Sequence, residues 1–367
     1  MAARHKGLSM TASATLSIGL IGPLPPPAGG MANQTMQLSR LLGEAGMRVK
    51  LIRNNAPYAP AWVGGVPLLR AGFRLLPYLW RLWRAAGRCD LFHVMANSGW
   101  SWHLFAAPAI WIARARGIPV IVNYRGGEAE QFLRGGAVAV RFTMKRAAAL
   151  VVPSGFLQQV FARYGMPAKI VPNIIDLEKF HPAEQPPAVS HVLLARNLEP
   201  LYDIDSGLRA MATLLRRHPR ARMSIAGSGP ERERLEALAQ ALGIAEHVRF
   251  TGRLDSQEMA ALYREASLSL NTALADNMPN SVLEALACGL PVVSSEVGGV
   301  PFLVRHEETA LLVPPGDAEA MASAMLRLIE DDDLRQKLIH NGREHVQSFT
   351  WARVGRQWLD LYREALA

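Results

Sequence analysis

The chain of 367 residues has only two cysteines, Cys89 and Cys288. Two thiols cannot build a disulfide framework or a four-cysteine zinc site, so we expect a reducing, cytoplasmic environment. No apolar run reaches the roughly 20 residues that a membrane-spanning helix needs. The apolar segment 12–22 is short and no A-x-A cleavage pattern follows it. We therefore interpret this segment as a buried first strand and not as a signal peptide.

Acidic residues are scarce in the first half of the chain. Through Pro172 there are 20 Lys and Arg but 4 Asp and Glu, whereas the remainder has 20 and 27, which together give the net charge of +9. This asymmetry predicts two domains with different partners. Phosphate-bearing ligands or anionic lipid headgroups suit the basic half. No zinc-finger, KH or RRM signature is present, so nucleic acid is not expected as a partner.

Short apolar runs alternate with amphipathic stretches along almost the whole chain, as in parallel sheets covered by helices on both faces. Strands are predicted at 15–22, 48–53, 90–95, 118–123, 149–153, 191–196, 222–227, 247–251, 267–271, 291–295 and 310–313. Helices are predicted at 31–46, 156–165, 204–217, 230–242, 256–265, 281–289, 317–330 and 350–366. The pattern predicts an α/β protein with two doubly wound, Rossmann-like domains facing across a cleft. Its expected parts are 1–172, a linker at 173–190, 191–349 and a final helix at 350–367.

The segment 271–301, NTALADNMPNSVLEALACGLPVVSSEVGGVP, is the most informative. It starts where a predicted strand ends and enters a helix near Asn280 or Ser281, with Asp276 before this junction and Glu284 after it. The free N–H groups of a helix start favour a phosphate there. A carboxylate inside the helix suits the hydroxyls of a ribose. Taken singly, Asn280 as a helix cap and Glu284 as a surface carboxylate are the simpler interpretation, but the neighbouring glycine loop at 297–300 favours a binding site.

This segment resembles the E-x7-E region of retaining GT-B glycosyltransferases of family 4, with an aspartate as its first acid. The linker 171–182, the glycine-rich loop 226–235 and the segment 250–265 are similar to the same family, in the same order. The final helix matches one that crosses back onto the first domain. The resemblance implies a GT-B fold, with an acceptor-binding first domain and a nucleotide-sugar-binding second domain.

The resemblance also implies roles for individual residues. Glu284 would hold the nucleotide ribose, Asp276 the hydroxyls of the donor sugar, and the strand-end Arg196 the diphosphate. A permanently charged guanidinium stabilises the negative charge that grows on the leaving diphosphate. The other implied donor-binding residues are Asn277, Met278, Asn280, Ser281, Gly227 and Arg253. No metal is expected, because no D-x-D-like metal site stands out and the fold usually dispenses with one. The nucleotide sugar is a substrate, so no other cofactor is expected either.

Two positions depart from the family pattern. Leu201 stands where a lysine is usual, and Arg125 where a histidine often contacts the donor sugar. We group Arg125 with the catalytic residues as a ligand for a donor phosphate or an acidic sugar. A structural pair with Glu128 is the equally supported alternative. A guanidinium does not deprotonate, so Arg125 cannot be a general base.

The first domain offers candidates for the acceptor side. Gly29 and Gly30 precede a predicted helix and allow the backbone to approach an anionic ligand, such as the donor phosphates. The same loop lacks G-x-G-x-x-G and contains Pro25, Pro26 and Pro27, which argues against an NAD enzyme. His103 is the candidate acceptor contact, whereas His93 is more simply explained as a core histidine.

The segment 68–88 predicts an amphipathic helix kinked at Pro77. On a wheel of roughly 100° per residue, a stripe of arginines lies opposite an apolar face that includes Leu76 and Trp83. The arginines of the stripe are Arg70, Arg74, Arg81, Arg84 and Arg88. A basic stripe beside a Leu/Trp face suits peripheral contact with an anionic membrane. A packed helix with a solvated arginine face is the alternative.

These features predict a glycosyltransferase that moves a sugar from a nucleotide sugar, by family frequency a UDP-sugar, to a lipid-linked or saccharide acceptor. The resemblance implies retention through front-face substitution, in which the leaving phosphate takes the proton of the acceptor. For the alternative double displacement, Glu128 is the only first-domain carboxylate worth testing as a nucleophile. The expected role is cell-surface polysaccharide or glycolipid synthesis, in the cytoplasm or at the inner membrane face. Two alternatives stay open: a sugar-nucleotide epimerase and a non-catalytic sugar-nucleotide binder.

Overall fold

A computed structural model of the protein describes residues 15–26, 29–56, 67–185 and 190–367, with the backbone alone for 67–72. Its strands form two sheets of six, and every pair of neighbouring strands is parallel. The first sheet has the order β2-β1-β3-β4-β5-β6 and the second the order β12-β11-β10-β7-β8-β9, with these bounds: β1 Ser17–Gly22, β2 Arg48–Arg53, β3 Leu91–Ala96, β4 Val120–Tyr124, β5 Ala149–Val152, β6 Lys169–Ile170, β7 His191–Ala195, β8 Arg222–Ala226, β9 Val248–Gly252, β10 Leu268–Asn271, β11 Val292–Ser295 and β12 Leu311–Val313.

Helices connect the strands and cover both faces of each sheet. Their bounds are α1 Gly30–Glu44, α2 Pro67–Ala86, α3 Ala107–Ala115, α4 Ala129–Met144, α5 Gly155–Arg163, α6 Ile204–Leu215, α7 Arg232–Ala241, α8 Ser256–Glu265, α9 Asn280–Ala287, α10 Val300–Leu303, α11 Ala318–Glu330, α12 Asp332–Val346 and α13 Trp351–Leu366. Helices α2 to α5 contribute to the core on one face of the first sheet, and α1 and α13 to the core on the other. Helix α13 thus returns from the end of the second series to the first sheet, as expected for a GT-B fold.

The predicted strands and helices agree with the structure to within two residues at each end. Five elements have no counterpart among the predictions: β6, α3, α4, α10 and α12. Helix α10 has only four residues. Strand β6 has two residues, too few for a recognisable pattern. Helix α3 is apolar almost throughout, α4 contains the pair Gly135–Gly136, and α12 is mostly polar, so each of the three lacks a clear amphipathic signal.

The buried residues of helix α2 differ from those of the apolar face that the helical wheel predicts. The buried face is formed by Tyr78, Leu82, Ala85 and Ala86. Leu76, which belongs to the predicted apolar face, is 69% exposed. The wheel centres on the largest apolar residues, whereas the helix packs through Leu82, its small alanines and Tyr78, whose hydroxyl donates to the Phe105 carbonyl at 2.8 Å.

The other large residue of that predicted face, Trp83, is 50% exposed. Arg88 lies beyond the end of α2, and the side chain of Arg70 lies outside the described residues. Among the described residues, no helix is both long enough and apolar enough to cross a membrane.

Candidate functional site

The predicted donor residues lie at the carboxyl edge of the second sheet, where the strand order reverses between β7 and β10. In open parallel sheets, ligands bind outside such a switch point. Arg196 directly follows β7, and its Nε donates to Oδ1 of Asn271, the last residue of β10, at 2.9 Å. The Asn271 amide donates in turn to Ser294 Oγ at 2.8 Å. The guanidinium is therefore fixed across the switch point by buried polar side chains.

Arg196 and Asp276 form an ion pair across the mouth of this crevice. Arg196 Nη2 lies 2.6 Å from Asp276 Oδ2, and the two side chains are only 12% and 15% exposed. The guanidinium also lies 5.3 Å from the ring centroid of Tyr202. Arg196 is thus an inward-directed cation rather than a surface residue, and its present partner is one of the two acids of the predicted motif.

Two glycine loops bring backbone close beneath these residues. A Cβ on Gly298, whose φ is +51°, would overlap the carbonyl oxygen of Asp276, and a Cβ on Gly299 would overlap that of Asn277. Gly299 N also donates to the Asp276 carbonyl at 2.9 Å. Likewise, a Cβ on Gly227 would overlap the Arg196 carbonyl. These loops therefore fix the backbone that carries Asp276 and Arg196.

The start of helix α9 presents polar atoms that have no protein partner. The cap position is Pro279, so the interpretation of Asn280 as the helix cap is wrong. The Asn280 Oδ1 instead accepts hydrogen bonds from Asn173 at 2.7 Å and Gln34 at 3.2 Å, which come from outside the second sheet. Over the part of the chain that the structure describes, the buried atoms Ser281 Oγ and Asn277 Oδ1 have no hydrogen-bond partner. Buried polar groups are rarely left unpaired, so this helix start is suited to a polar ligand.

Glu284 lies one turn farther along α9. Its Oε2 accepts a hydrogen bond from Tyr263 Oη at 3.0 Å. Burial raises the pKa of Glu284 to about 7, although Tyr263, Arg196 and Lys179 act to lower it. A half-buried carboxyl at the edge of the crevice is suited to accept hydrogen bonds from neutral hydroxyls, and it does so best when ionised.

Arg125 reaches the same helix from the first domain through one intermediate residue. Its Nε donates to Asn123 Oδ1 at 2.7 Å and its Nη1 to Asn173 Oδ1. Asn173 donates to Met278 O at 3.0 Å as well as to Asn280. Burial lowers the pKa of Arg125 to about 9, which leaves it charged at neutral pH. The predicted alternative pairing with Glu128 is wrong, because Arg125 bonds to two asparagines instead.

The other first-domain candidates divide into buried and exposed groups. His93 is fully buried between Tyr362 Oη, 2.8 Å from Nδ1, and Asn123 Nδ2, 3.0 Å from Nε2. Burial, with the nearby Arg125, lowers the pKa of His93 to about 3, so it is a neutral core histidine and does not face the cleft. His103 is exposed, with its ring 6.2 Å from that of Trp100.

Two further predicted positions lie at loop ends. Gly29 precedes α1 and Gly30 begins it, and Gln34 of the same helix bonds to Asn280. The starts of α1 and α9 thus face each other. Arg253 is exposed directly after β9, at the same edge of the second sheet as Arg196.

The prediction missed three of the residues that organise the site: Asn173, Tyr263 and Asn271. Each lay inside a segment that the sequence had already marked, namely the V-P-N linker, the Leu-Tyr-x-x-Ala helix and the end of a strand. Within the described ranges, no group of three or more His, Cys, Asp or Glu side chains is placed to hold a metal ion. The expectation of a metal-independent reaction remains a prediction.

Two family models together match most of the chain. "Glycosyltransferase Family 4" matches residues 28–179, and "Glycosyl transferases group 1" matches residues 179–345. Over these residues the chain resembles the family-4 glycosyltransferases. Arg196, Asp276 and Glu284 all lie within the group 1 match.

Curated relatives of this glycosyltransferase include enzymes named D-inositol 3-phosphate glycosyltransferase. The protein from Saccharomonospora viridis is 37% identical over 211 residues, which are 53% of this chain and 49% of the relative. The one from Salinispora tropica is 29% identical over 96% of this chain and 85% of its own. The chain thus spans about half the length of the former relative and most of the latter.

Solved structures show the same architecture. Sucrose-phosphate synthase from Thermosynechococcus elongatus superposes with a TM-score of 0.76 at 23% identity, over 95% of this chain and 98% of that one. The Anabaena protein HepE, in complex with UDP and glucose, gives 0.74 at 18% identity, over 95% and 99%. At these identities the similarity establishes the fold of the glycosyltransferase, which is GT-B.

Proposed function

We propose that this glycosyltransferase transfers a sugar from a UDP-sugar to a lipid-linked or saccharide acceptor, with retention, in the synthesis of a cell-surface polysaccharide or glycolipid. The donor assignment rests on two buried atoms that have no hydrogen-bond partner among the described residues, Ser281 Oγ and Asn277 Oδ1. Asn277 follows the carboxylate that pairs with Arg196, and Ser281 lies in α9 one turn before Glu284. A diphosphate linked to a ribose presents groups that complement a cation, a helix start and a carboxyl. The complex of HepE with UDP and glucose and the names of the inositol phosphate relatives support the same reaction class.

We assign the donor contacts as follows. Glu284 accepts hydrogen bonds from the ribose hydroxyls, and the N–H groups at the start of α9 bind the phosphates. Asp276 turns from Arg196 to the hydroxyls of the transferred sugar when the donor enters. Arg196 is then free to bind the diphosphate through two N–H groups.

The bond between the sugar and the diphosphate breaks as the acceptor hydroxyl attacks the same face of the sugar. Negative charge grows on the leaving phosphate oxygen, and Arg196 stabilises it more in the transition state than in the ground state. The leaving oxygen takes the proton of the acceptor. This route needs no nucleophilic carboxylate, in keeping with the exposed position of Glu128 at the cap of α4.

The first domain supplies the remaining groups. Because Leu201 occupies the position of the usual lysine, we assign the second cation near the phosphates to Arg125, which bonds through Asn173 to the start of α9. His103, exposed beside Trp100, is assigned to the acceptor. No metal takes part in this proposal.

Nucleotide release tests the proposal. The purified chain is given a panel of UDP-, GDP- and ADP-sugars, with and without acceptors that include D-inositol 3-phosphate and a lipid-linked saccharide. Acceptor-dependent release of UDP, with a product of retained anomeric configuration by NMR, supports it. Isomerisation of the donor without acceptor would instead indicate an epimerase, and binding without turnover a non-catalytic binder. Unchanged donor affinity in both Glu284→Ala and Arg196→Ala would overturn the site assignment.

A further inference from the structure

An exposed apolar stripe runs along helix α2. Phe73, Leu76, Trp80 and Trp83 follow one another at intervals of three and four residues and are all about half exposed or more. At roughly 100° per residue they share one side of the helix, next to the arc of the arginines and away from the buried face. Isolated exposed apolar residues need no explanation, but four on one helix face do.

The stripe continues onto the two neighbouring helices. Helix α2 packs beside α3, and α3 beside α4. Trp111 of α3 and Phe142 of α4 are both exposed, with ring centroids 5.8 Å apart, and Val138 of α4 is 80% exposed. We name the seven side chains the aromatic patch: Phe73, Leu76, Trp80, Trp83, Trp111, Val138 and Phe142.

A guanidinium lies over the rings of this patch. Arg84 is 5.2 Å from the Trp80 centroid, and Arg116 is 4.9 Å from that of Trp83. Arg146 covers two more rings, at 4.2 Å from Trp111 and 4.0 Å from Phe142, so that four of the five rings of the patch have a guanidinium beside them. The cations are therefore held close to the faces of the exposed rings.

These cations have no acidic partners in the part of the chain that the structure describes. None of the three forms an ion pair with a carboxylate among the residues that the structure describes. Between Glu44 and Glu128 the sequence contains eleven Lys or Arg and a single acid, Asp90. Asp90 accepts a hydrogen bond from Ser17 N, at the opposite end of β1 from the cleft. A partner that binds the aromatic patch must therefore present both apolar surface and negative charge.

We propose that the aromatic patch docks on a lipid bilayer rich in anionic headgroups. Tryptophan and phenylalanine rings suit the boundary between headgroups and acyl chains, and arginines at the same depth meet the lipid phosphates. A second copy of this chain is a poorer occupant, because two-fold symmetry would bring the same arginines together. The inference deepens the proposed function, since α2, α3 and α4 begin at the carboxyl edge of the first sheet and a bilayer along them reaches the rim of the cleft.

Vesicle flotation of the full chain, without donor or acceptor, tests the inference separately from the enzymatic activity. Vesicles of equimolar phosphatidylglycerol and phosphatidylcholine should bind the chain, and vesicles of phosphatidylcholine alone should bind it much less. Arg84→Gln/Arg116→Gln should weaken binding to the anionic vesicles about 30-fold. The control Arg353→Gln/Arg356→Gln removes the same charge from exposed positions on α13 and should change binding less than threefold (an order-of-magnitude bound).

The rings are tested by Trp80→Gln/Trp83→Gln, which should weaken binding at least about tenfold and keep the unfolding temperature, because both side chains are half exposed or more. Bromine-labelled acyl chains should quench tryptophan fluorescence in the parent and less in this variant. Absence of binding to anionic vesicles, or equal losses in the patch and control variants, would overturn the proposal. So would self-association abolished by the tryptophan variant without vesicle binding, which would identify a second copy as the occupant.

Discussion

The two domains use arginine in different ways. In the second domain, guanidinium groups are paired inside the molecule: Arg196 with Asp276, and Arg234 with both Asp205 and Glu231. In the first domain, Arg84, Arg116 and Arg146 lie over exposed rings, and the side chain of Arg125 is bonded only to asparagines among the described residues, although Arg40 and Arg163 do pair with carboxylates. The difference teaches that a paired arginine positions the binding site of the second domain, whereas several arginines of the first domain are left available to anionic partners.

Arg196→Ala should have the largest effect, because it removes the cation assigned to the leaving group. We expect kcat/KM for sugar transfer to fall about 10³-fold, mainly in kcat. Arg196→Lys should recover part of the loss, since it keeps the charge but not the forked donor geometry. Steady-state nucleotide release measures both variants.

The exposed Arg217, paired with Glu330, provides a matched arginine, and Arg217→Ala should leave the rate unchanged. A larger loss of kcat in Arg125→Ala than in Arg196→Ala would contradict this contrast between the domains. The first domain would then supply the main cation.

Glu284→Gln should lower donor affinity about 100-fold at alkaline pH, as expected for the loss of a hydrogen bond to a charged group. With its pKa raised to about 7, Glu284 is protonated at low pH, so donor affinity in the parent should rise as the pH increases through 7. The variant should show no such rise. Calorimetric titration with UDP across this range measures the effect.

The same residue links pH to stability. Because the folded-state pKa of Glu284 exceeds its ordinary value of 4.5, the folded state holds an extra proton between the two values. The contribution of Glu284 to the free energy of unfolding should therefore decrease as the pH rises from 4.5 to about 7, and Glu284→Gln should remove this slope. Tyr263→Phe, which deletes a hydrogen bond that lowers this pKa, should move the affinity profile to higher pH.

Asp276→Asn should strengthen UDP binding about tenfold while sugar transfer slows. The reason is that Arg196 no longer has to break its ion pair with the Asp276 carboxylate before it binds the diphosphate. The effect should vanish in Asp276→Asn/Arg196→Ala, and this double variant is the control. Weaker UDP binding in the single variant would show that Asp276 does not restrain Arg196. The internal pairing that distinguishes the second domain would then have no role in the site.

Asn173→Ala should give the smallest effect, about a fivefold loss in kcat/KM, because it cuts the link between Arg125 and the start of α9. Asn341, whose amide bonds to the Glu308 carbonyl at the surface, provides the control Asn341→Ala, which should be neutral. Steady-state rates measure both. Equal rates in the parent and Asn173→Ala would show that the two domains act independently at this point.

Much of the architecture was predictable from local patterns. The strand before Arg196 and the helix that carries Glu284 are short apolar or amphipathic runs bounded by glycine, proline or polar residues. Of the two partners of Arg125, Asn123 lies only two residues away and was overlooked, whereas Asn173 lies 48 residues away and was not predictable. The buried residues of α2 were not predictable for a related reason: which side of the helix packs depends on Tyr78 and on small alanines in the core beside the sheet. Separation along the sequence therefore does not predict these tertiary contacts.

Helix α13 has a consequence for the order in which the protein is made. Trp358 and Tyr362 are completely or almost completely buried in the first domain, although the whole second domain separates them from it in the chain. During translation, the first sheet therefore waits with one face partly uncovered until these residues leave the ribosome. The second domain contains its own strands and cores, so it can fold before the first is complete. A nascent chain that stalls before residue 358 would expose apolar surface of the first sheet to chaperones and proteases.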